Sequence, residues 1–255
     1  MQLIDESELT PELIRSRYDA LLGRLRAAAE GAGRDPGGFH IVAVTKGFDA
    51  AVVHAAAAAG LTAFGENRVQ EATDKVAAVP DAEWHMVGRL QSNKVRPALG
   101  LFGTVHSVES EALLERIERI AHDDGHSPRV LLQVDMTGRE GRAGFPVEAF
   151  EAAAVAGSPL VEALRGLRHA VPLGLMTIAP PEPGAARQCF ARLRGLRERL
   201  QQASGLPLAE LSMGMTADAA EAIAEGATIL RIGTALFGPR PELPHQHQAA
   251  ILAAE

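Results

Sequence analysis

The sequence predicts a single closed (β/α)8 barrel, and three observations predict it. Short apolar runs alternate with helix-like segments along almost all of the 255 residues, a pattern that favours parallel strands joined by crossovers. Eight such units match the typical barrel length of about 250 residues. No G-x-G-x-x-G follows any predicted strand, and the turn after the first begins Lys46-Gly47-Phe48, which argues against an open dinucleotide-binding sheet.

Each element has its own local signal. Thr10 and Pro11 make a helix start, and Leu13, Ile14, Leu21, Leu22 and Leu25 keep one apolar face to about Ala29, with Gly31 and Gly33 as stops. The run Phe39-His40-Ile41-Val42-Ala43-Val44-Thr45 reads as a buried strand with Lys46 at its C-terminal end. Helices over 50–59, 67–78, 92–99 and 109–123 are expected to lead to strands at 62–65, 84–87, 103–106 and 130–135, respectively. After Pro146 a helical stretch breaks near Gly157-Ser158-Pro159 and precedes a strand at 173–178. Helix 185–203 then leads to strand 209–213, and helix 217–225 to Thr228-Ile229-Leu230-Arg231. The expected division is an N-terminal helix packing on the barrel (1–38), the barrel (39–238) and a Pro-rich, part-helical tail (239–255).

Composition narrows the function classes. With 47% hydrophobic and only 4% aromatic residues, the core must be aliphatic, as barrels usually are. Thirty-two acidic against 25 basic residues give a net charge of −7, which argues against a general nucleic-acid binder. The single Cys189 excludes an internal disulfide framework and reads as a small side chain packed in a helix of a reducing compartment. Residues 1–12 are acidic and lack the basic-then-apolar pattern of a signal peptide. The most apolar window, 50–64, contains His54 and is mostly Ala, too short to span a bilayer. A soluble, cytoplasmic protein is expected, with no membrane or nucleic-acid partner.

Barrel active sites lie at the C-terminal ends of the strands. There the sequence places Lys46, Glu66-Asn67, His85, His106, Asp135, Met176, Ser212-Met213-Gly214-Met215-Thr216 and Arg231-Ile232-Gly233-Thr234. An amine in a desolvated barrel mouth loses its proton more easily and forms a Schiff base with an aldehyde; a rim lysine paired with Glu66 is the plainer alternative. Gly233 and Thr234 offer backbone N–H groups and a hydroxyl where barrels often hold phosphate, and Gly214 makes a second such turn; ordinary tight turns are the alternative. Together, amine and cradle suit a phosphorylated aldehyde. Arg231, unless it pairs with Glu66 or Asp135, would disfavour protonation of a ring nitrogen facing it. His122 and His126 read as a solvated helix end, and His245 and His247 as tail residues without metal-ligand spacing. Arg89, Lys94 and Arg96 form a basic cluster that reads as a solvated helix face, with anion or partner binding as its minority meaning.

At these positions the chain resembles the YggS/PROSC family of pyridoxal 5'-phosphate (PLP)-binding homeostasis proteins, relatives of the barrel domain of bacterial alanine racemase. The resemblance runs from about 39 to 238 and rests on ordered blocks. They are Val44-Thr45-Lys46, Phe64-Gly65-Glu66-Asn67-Arg68, Trp84-His85-Met86-Val87-Gly88, Leu90-Gln91-Ser92-Asn93-Lys94, Gly174-Leu175-Met176, Leu211-Ser212-Met213-Gly214-Met215 and Arg231-Ile232-Gly233-Thr234-Ala235-Leu236-Phe237-Gly238. It implies a Schiff base between Lys46 and PLP, phosphate contacts from Ser212, Gly233 and Thr234, Arg231 near the pyridine nitrogen and Asn67 near the ring. Two departures stand out. Thr216 replaces a common Ser, and Arg142-Ala143-Gly144 replaces a Lys-Ser-Gly pattern, so a secondary PLP attachment in that loop is not expected.

The resemblance also bears on turnover. Related racemases use a second acid–base group, a Tyr from a separate β-rich domain of the partner subunit. The one tyrosine here, Tyr18, lies before the first strand, and the chain ends soon after the barrel. The expectation is a monomeric PLP binder that buffers or delivers the cofactor without catalysis, with apo PLP-dependent enzymes as candidate recipients. The alternative is a PLP-dependent amino-acid racemase or lyase using His85 or Lys94 as base.

Overall fold

The computed structural model describes residues 6–138, 141–180, 182 and 184–239. Eight parallel strands close into a barrel: β1 (His40–Val44), β2 (Ala63–Glu66), β3 (Glu83–Met86), β4 (Thr104–Val108), β5 (Arg129–Asp135), β7 (Val171–Met176), β8 (Glu210–Ser212) and β9 (Ile229–Ile232). Each pairs with its neighbour, β4 pairs with β5, and β1 joins β9 to close the ring. The two-residue β6 (Phe145–Pro146) adds to the end of β5. No sequence signal announces it, for Pro146 marks only the start of a helix.

Helices α1 (Pro11–Gly31), α2 (Ala50–Ala58), α3 (Val69–Ala78), α4 (Val95–Leu99), α5 (Glu111–Asp124), α6 (Val147–Ala153), α7 (Pro159–Gly166), α8 (Ala185–Ser204), α9 (Ala219–Ala224) and α10 (Thr234–Phe237) complete the described elements, with 3-10 turns at Glu6–Glu8 and Ser92–Lys94. The caps follow sequence chemistry. Thr10, Asp49, Ser110 and Ser158 each accept a hydrogen bond from a backbone N–H three residues on, and Pro stands in the first turn of α1 and α7. The expected helix over 92–99 is instead a 3-10 turn followed by the short α4. Pro97 is the reason, because its ring would clash with the carbonyl four residues back in one continuous helix. Helix α3 starts two residues late, since Asn67 and Arg68 extend the chain beyond β2. The expected helix over 246–254 lies outside the described residues.

Two apolar layers hold the barrel. The larger lies between strands and helices; the smaller fills the interior with Val42, Val87, Leu131, Met176 and Ile229. Alternation along each strand fixes which residues point inward. On β1 these are Val42 and Val44, on β3 His85 and Val87, and on β9 Ile229 and Arg231. Gly65 fits this layer because a methyl there would lie 2.9 Å from Val42 Cγ1.

Gly174 is required by closer contact still. It is the register partner of Glu210 across the β7–β8 ladder, and a Cβ there would fall 1.9 Å from the Glu210 carbonyl oxygen. Gly174→Ala is therefore expected to push these strands apart and destabilise the barrel by about 2 kcal/mol or more. A urea unfolding midpoint equal to wild type would contradict this account of the ladder.

Candidate functional site

The site grows from four adjacent strand ends, in the order β2, β1, β9, β8. Val44 pairs with Gly65, Val42 with Arg231 and Ser212 with Ile229. Asn67, Lys46, Gly233 with Thr234, and Ser212 with Gly214 thus stand along one arc of the rim. Lys46 lies in the turn that follows β1, two residues past Val44, and is half-buried, as is Asn67.

A buried ion pair joins the first two of these ends. Lys75, on the inner face of α3 with Val69 and Ala72, lies 2.7 Å from Glu66 Oε1, both side chains being almost wholly buried. Its amine also donates to the Thr45 carbonyl at 2.9 Å, while the Thr45 hydroxyl donates to Glu66 Oε1 at 2.5 Å. The residues before Lys46 and Asn67 are clamped to one ammonium. Burial pushes the Glu66 carboxyl up, and Lys75 and Thr45 oppose that shift. Gly88 packs against the same corner, for a Cβ there would lie 2.3 Å from the Asn67 carbonyl oxygen. The sequence missed Lys75, although a lysine among the apolar positions of α3 was the signal.

Arg231 stands within the barrel at 5% exposure. Neither carboxylate offered by the sequence receives it. Glu66 is held by Lys75, and Asp135 accepts from the N–H and hydroxyl of Thr137. Arg231 Nη1 donates instead to Ser212 Oγ at 2.8 Å and Nη2 to the Thr177 carbonyl at 2.9 Å. Burial lowers its pKa to about 10, with Asp218 opposing from a distance. No carboxylate lies within ion-pair distance of this guanidinium among the described residues, so it retains the capacity to meet a ligand's acceptor.

The phosphate-end candidates lie on two tied turns. The Arg231 N–H donates to the Gly214 carbonyl at 3.0 Å, and the Ala235 N–H donates to Thr216 Oγ1 at 3.3 Å. Gly214 has φ +93°, and a Cβ there would strike Ala222 Cβ at 2.5 Å. Gly233 lies against β1, where a Cβ would come 3.2 Å from the Val44 carbonyl, and Thr234 is exposed beside it. Ser212 is wholly buried, with its hydroxyl turned to Arg231 and His106.

His85 and His106 do not belong to the rim. They sit inside the barrel, His85 Nδ1 2.9 Å from His106 Nε2 and His106 Nδ1 2.8 Å from Ser212 Oγ. Met176 belongs to the interior apolar layer. In the basic cluster Arg89 pairs with Glu109 at 2.9 Å and Arg96 with Asp123 and Asp124, so acidic partners neutralise most of it. His122 is exposed and packs edge-on against His169, while Cys189 is buried in α8.

A closed barrel with a lysine after its first strand and an arginine on its last defines the alanine racemase-type class, and residues 17–241 match the family of alanine racemase N-terminal domains. Alanine racemase from Clostridium difficile shares the fold at a TM-score of 0.64 and 14% identity, over 87% of this chain and 60% of that one. Nearer relatives narrow the class. The pyridoxal phosphate homeostasis protein of Pseudomonas aeruginosa is 43% identical over 222 residues, 85% of this chain and 91% of the relative. That of Synechocystis sp. is 40% identical over 210 residues, 80% and 93% respectively. The structure of PipY from Synechococcus elongatus with PLP bound superposes at a TM-score of 0.75 with 41% identity, over 88% of this chain and all of that one. The chain belongs to the pyridoxal phosphate homeostasis protein family.

Burial drives both interior imidazoles toward the neutral form. His85 falls to about 4, through desolvation and then the Arg129 charge; His106 falls well below its usual value, through desolvation, His85 and Arg231. The unfolded chain binds these protons near pH 6.5, so the stability is fully present above that value and is lost as pH falls toward 4. From His85 alone, going from pH 7 to 5 is expected to remove about 2 kcal/mol. Urea unfolding at the two pH values measures the loss, and a His85 ring resonance already protonated at pH 5 would contradict it.

Proposed function

We propose that this protein holds PLP at the C-terminal mouth of the barrel through the amine of Lys46 and serves intracellular PLP homeostasis without turnover of its own. The observation that carries this reading is the buried Arg231, free of any carboxylate partner among the described residues, on the strand hydrogen-bonded to the one that leads to Lys46. The names of the relatives and the PLP-bound state of PipY support it. PLP would supply an aldehyde for the amine and a conjugated ring that withdraws electrons. Lys46 would hold it covalently, and the turns at Gly214 and Gly233–Thr234 would face its phosphate. Ser212 would act from beneath by fixing Arg231. Asn67, clamped through Glu66, would flank the ring.

The same residues argue for storage rather than turnover. Arg231 has only protons to donate, so it would disfavour a protonated ring nitrogen and weaken the ring as an electron sink. Tyr18, the only tyrosine, lines a cavity at the start of the strands, at the far end of the barrel from Lys46. His85, once a candidate base, is buried toward that same far end, with its pKa near 4. No helix among the described residues is long and apolar enough to cross a membrane. We place the protein in the cytoplasm as a monomer, with apo PLP-dependent enzymes as recipients.

Borohydride reduction of the PLP-loaded chain followed by peptide mapping tests the attachment. The pyridoxyl label is expected on Lys46 and at background in Lys46→Ala; an unchanged level in that variant overturns the assignment. A panel of L-amino acids tests the second half, and robust turnover of any of them would replace storage with catalysis.

A further inference from the structure

The cavity at the opposite mouth of the barrel is built as a binding site in its own right. It encloses about 410 Å³ between α1 and the starts of β1, β2, β3, β4, β5, β7, β8 and β9. Two polar side chains on its wall are buried without partners: His85 Nε2, on a residue 2% exposed, and Thr104 Oγ1, on one fully buried. Glu83 Oε2 stands 3.7 Å from His85 Nε2, beyond hydrogen-bonding reach, and is itself held by Arg129 at 3.2 Å. On the solvent side Tyr18 and Arg26, eight residues apart on one face of α1, line the opening. Arg26 has no ion-pair partner among the described residues, whereas the other lining charges, Arg129, Glu83 and Glu210, all have polar partners.

We infer that this cavity binds a small hydroxycarboxylate, its carboxylate on Arg26 at the rim and its hydroxyls on His85, Thr104 and Glu83 at the floor. The charges select this class. Arg129 is paired with Glu83, so Arg26 is the one wall cation open to a ligand carboxylate, and Glu83 and Glu210 on the same wall disfavour a second negative charge. The floor offers a carboxylate acceptor beside an imidazole nitrogen and a hydroxyl, and a ligand hydroxyl both donates and accepts there. The volume admits a chain of several carbons.

Such a ligand would also orient the hydrogen bonds through the barrel. If its hydroxyl accepts from His85 Nε2–H, then His85 Nδ1 must accept from His106 Nε2–H. His106 Nδ1 then accepts from the Ser212 hydroxyl, whose oxygen accepts from Arg231. Every group in this chain is used once, and all donors point from Arg231 toward the cavity. Arg231 cannot accept, so the chain is anchored at that end. Both imidazoles are held neutral by burial, which leaves each with one donor and one acceptor nitrogen.

The test is titration of the full chain, labelled with 15N-histidine and without added PLP, so that its outcome is separate from the cofactor reading. Gluconate and glycerate are the probes; acetate, glycerol and inorganic phosphate are the comparisons. Gluconate or glycerate is expected to produce saturable shifts of the His85 and His106 ring nitrogens, with the proton on His85 Nε2. Acetate and glycerol, each lacking one half of the recognition, should bind roughly tenfold more weakly or less. Arg26→Ala changes an exposed side chain and should weaken gluconate by a similar roughly tenfold factor, while Thr104→Val should do so from the floor. Absence of saturable shifts with both probes overturns the inference. So does equal binding of phosphate or glycerol, or binding unchanged in both variants.

Discussion

Closure of the barrel by the β1–β9 ladder is the constraint on which the remaining chemistry depends. The register pairs Val42 with Arg231 and Ala43 with Ile232, and alternation then puts Val42 and Val44 on the same inward parity as Ile229 and Arg231. A slip of one residue would turn Arg231 into the helix layer and shift the turn that carries Lys46. Register is held by close fits rather than by hydrogen bonds alone. Gly233 lies against the Val44 carbonyl, Gly65 between Val42 and Val87, and Gly174 against Glu210. Larger side chains at these positions would separate strands, so backbone proximity and site geometry share one cause.

The interior is more polar than an aliphatic barrel requires. A layer of Val, Leu, Ile and Met is interrupted by His85, His106, Ser212 and Arg231, which form one hydrogen-bonded chain. Burying such groups costs free energy unless every donor and acceptor is met, and a buried guanidinium without a carboxylate is costlier still. Ser212 and Thr177 offset part of that cost for Arg231. The two imidazoles lower theirs by remaining neutral. This polar thread is a poor way to stabilise a barrel and a good way to fix the direction of a cationic side chain.

Much of the fold was legible because local and global signals agree. The run Ile41-Val42-Ala43-Val44, the Thr10-Pro11 start and the break at Gly157-Ser158-Pro159 each have one physical reading, and each element stands where that reading puts it. The site residues come from the resemblance, and strand order brings Lys46, Asn67, Gly233 and Thr234 to one arc of the rim with Ser212 and Arg231 buried beneath. What stayed hidden depends on pairing across the barrel. Charge alone offers Glu66 and Asp135 as partners for Arg231, because the sequence does not show what else binds them. Glu66 belongs to Lys75, nine residues along, and Asp135 to its own turn. His85 and His106 looked like rim residues because the strand ends were placed within a residue or two, and that is the distance separating the mouth from the interior. The strand at Phe145–Pro146 is too short to leave a periodic pattern.

The location of the polar thread bears on why this barrel would hold a cofactor without working on it. Proton removal and return on a bound substrate needs two acid–base groups at the mouth. Among the ionisable groups within the barrel, the two histidines are committed to one another, neutral, and beneath the mouth rather than in it. The buried cation on the last strand, Arg231, has no proton to lose at ordinary pH, since even burial leaves its pKa near 10. The ion pair of Glu66 and Lys75 is spent on clamping Thr45. The interior groups thus position neighbours rather than transfer protons, and in the reading proposed above Lys46, at the rim, would be the nucleophile. On the proposed reading, a barrel arranged in this way would favour covalent retention over turnover.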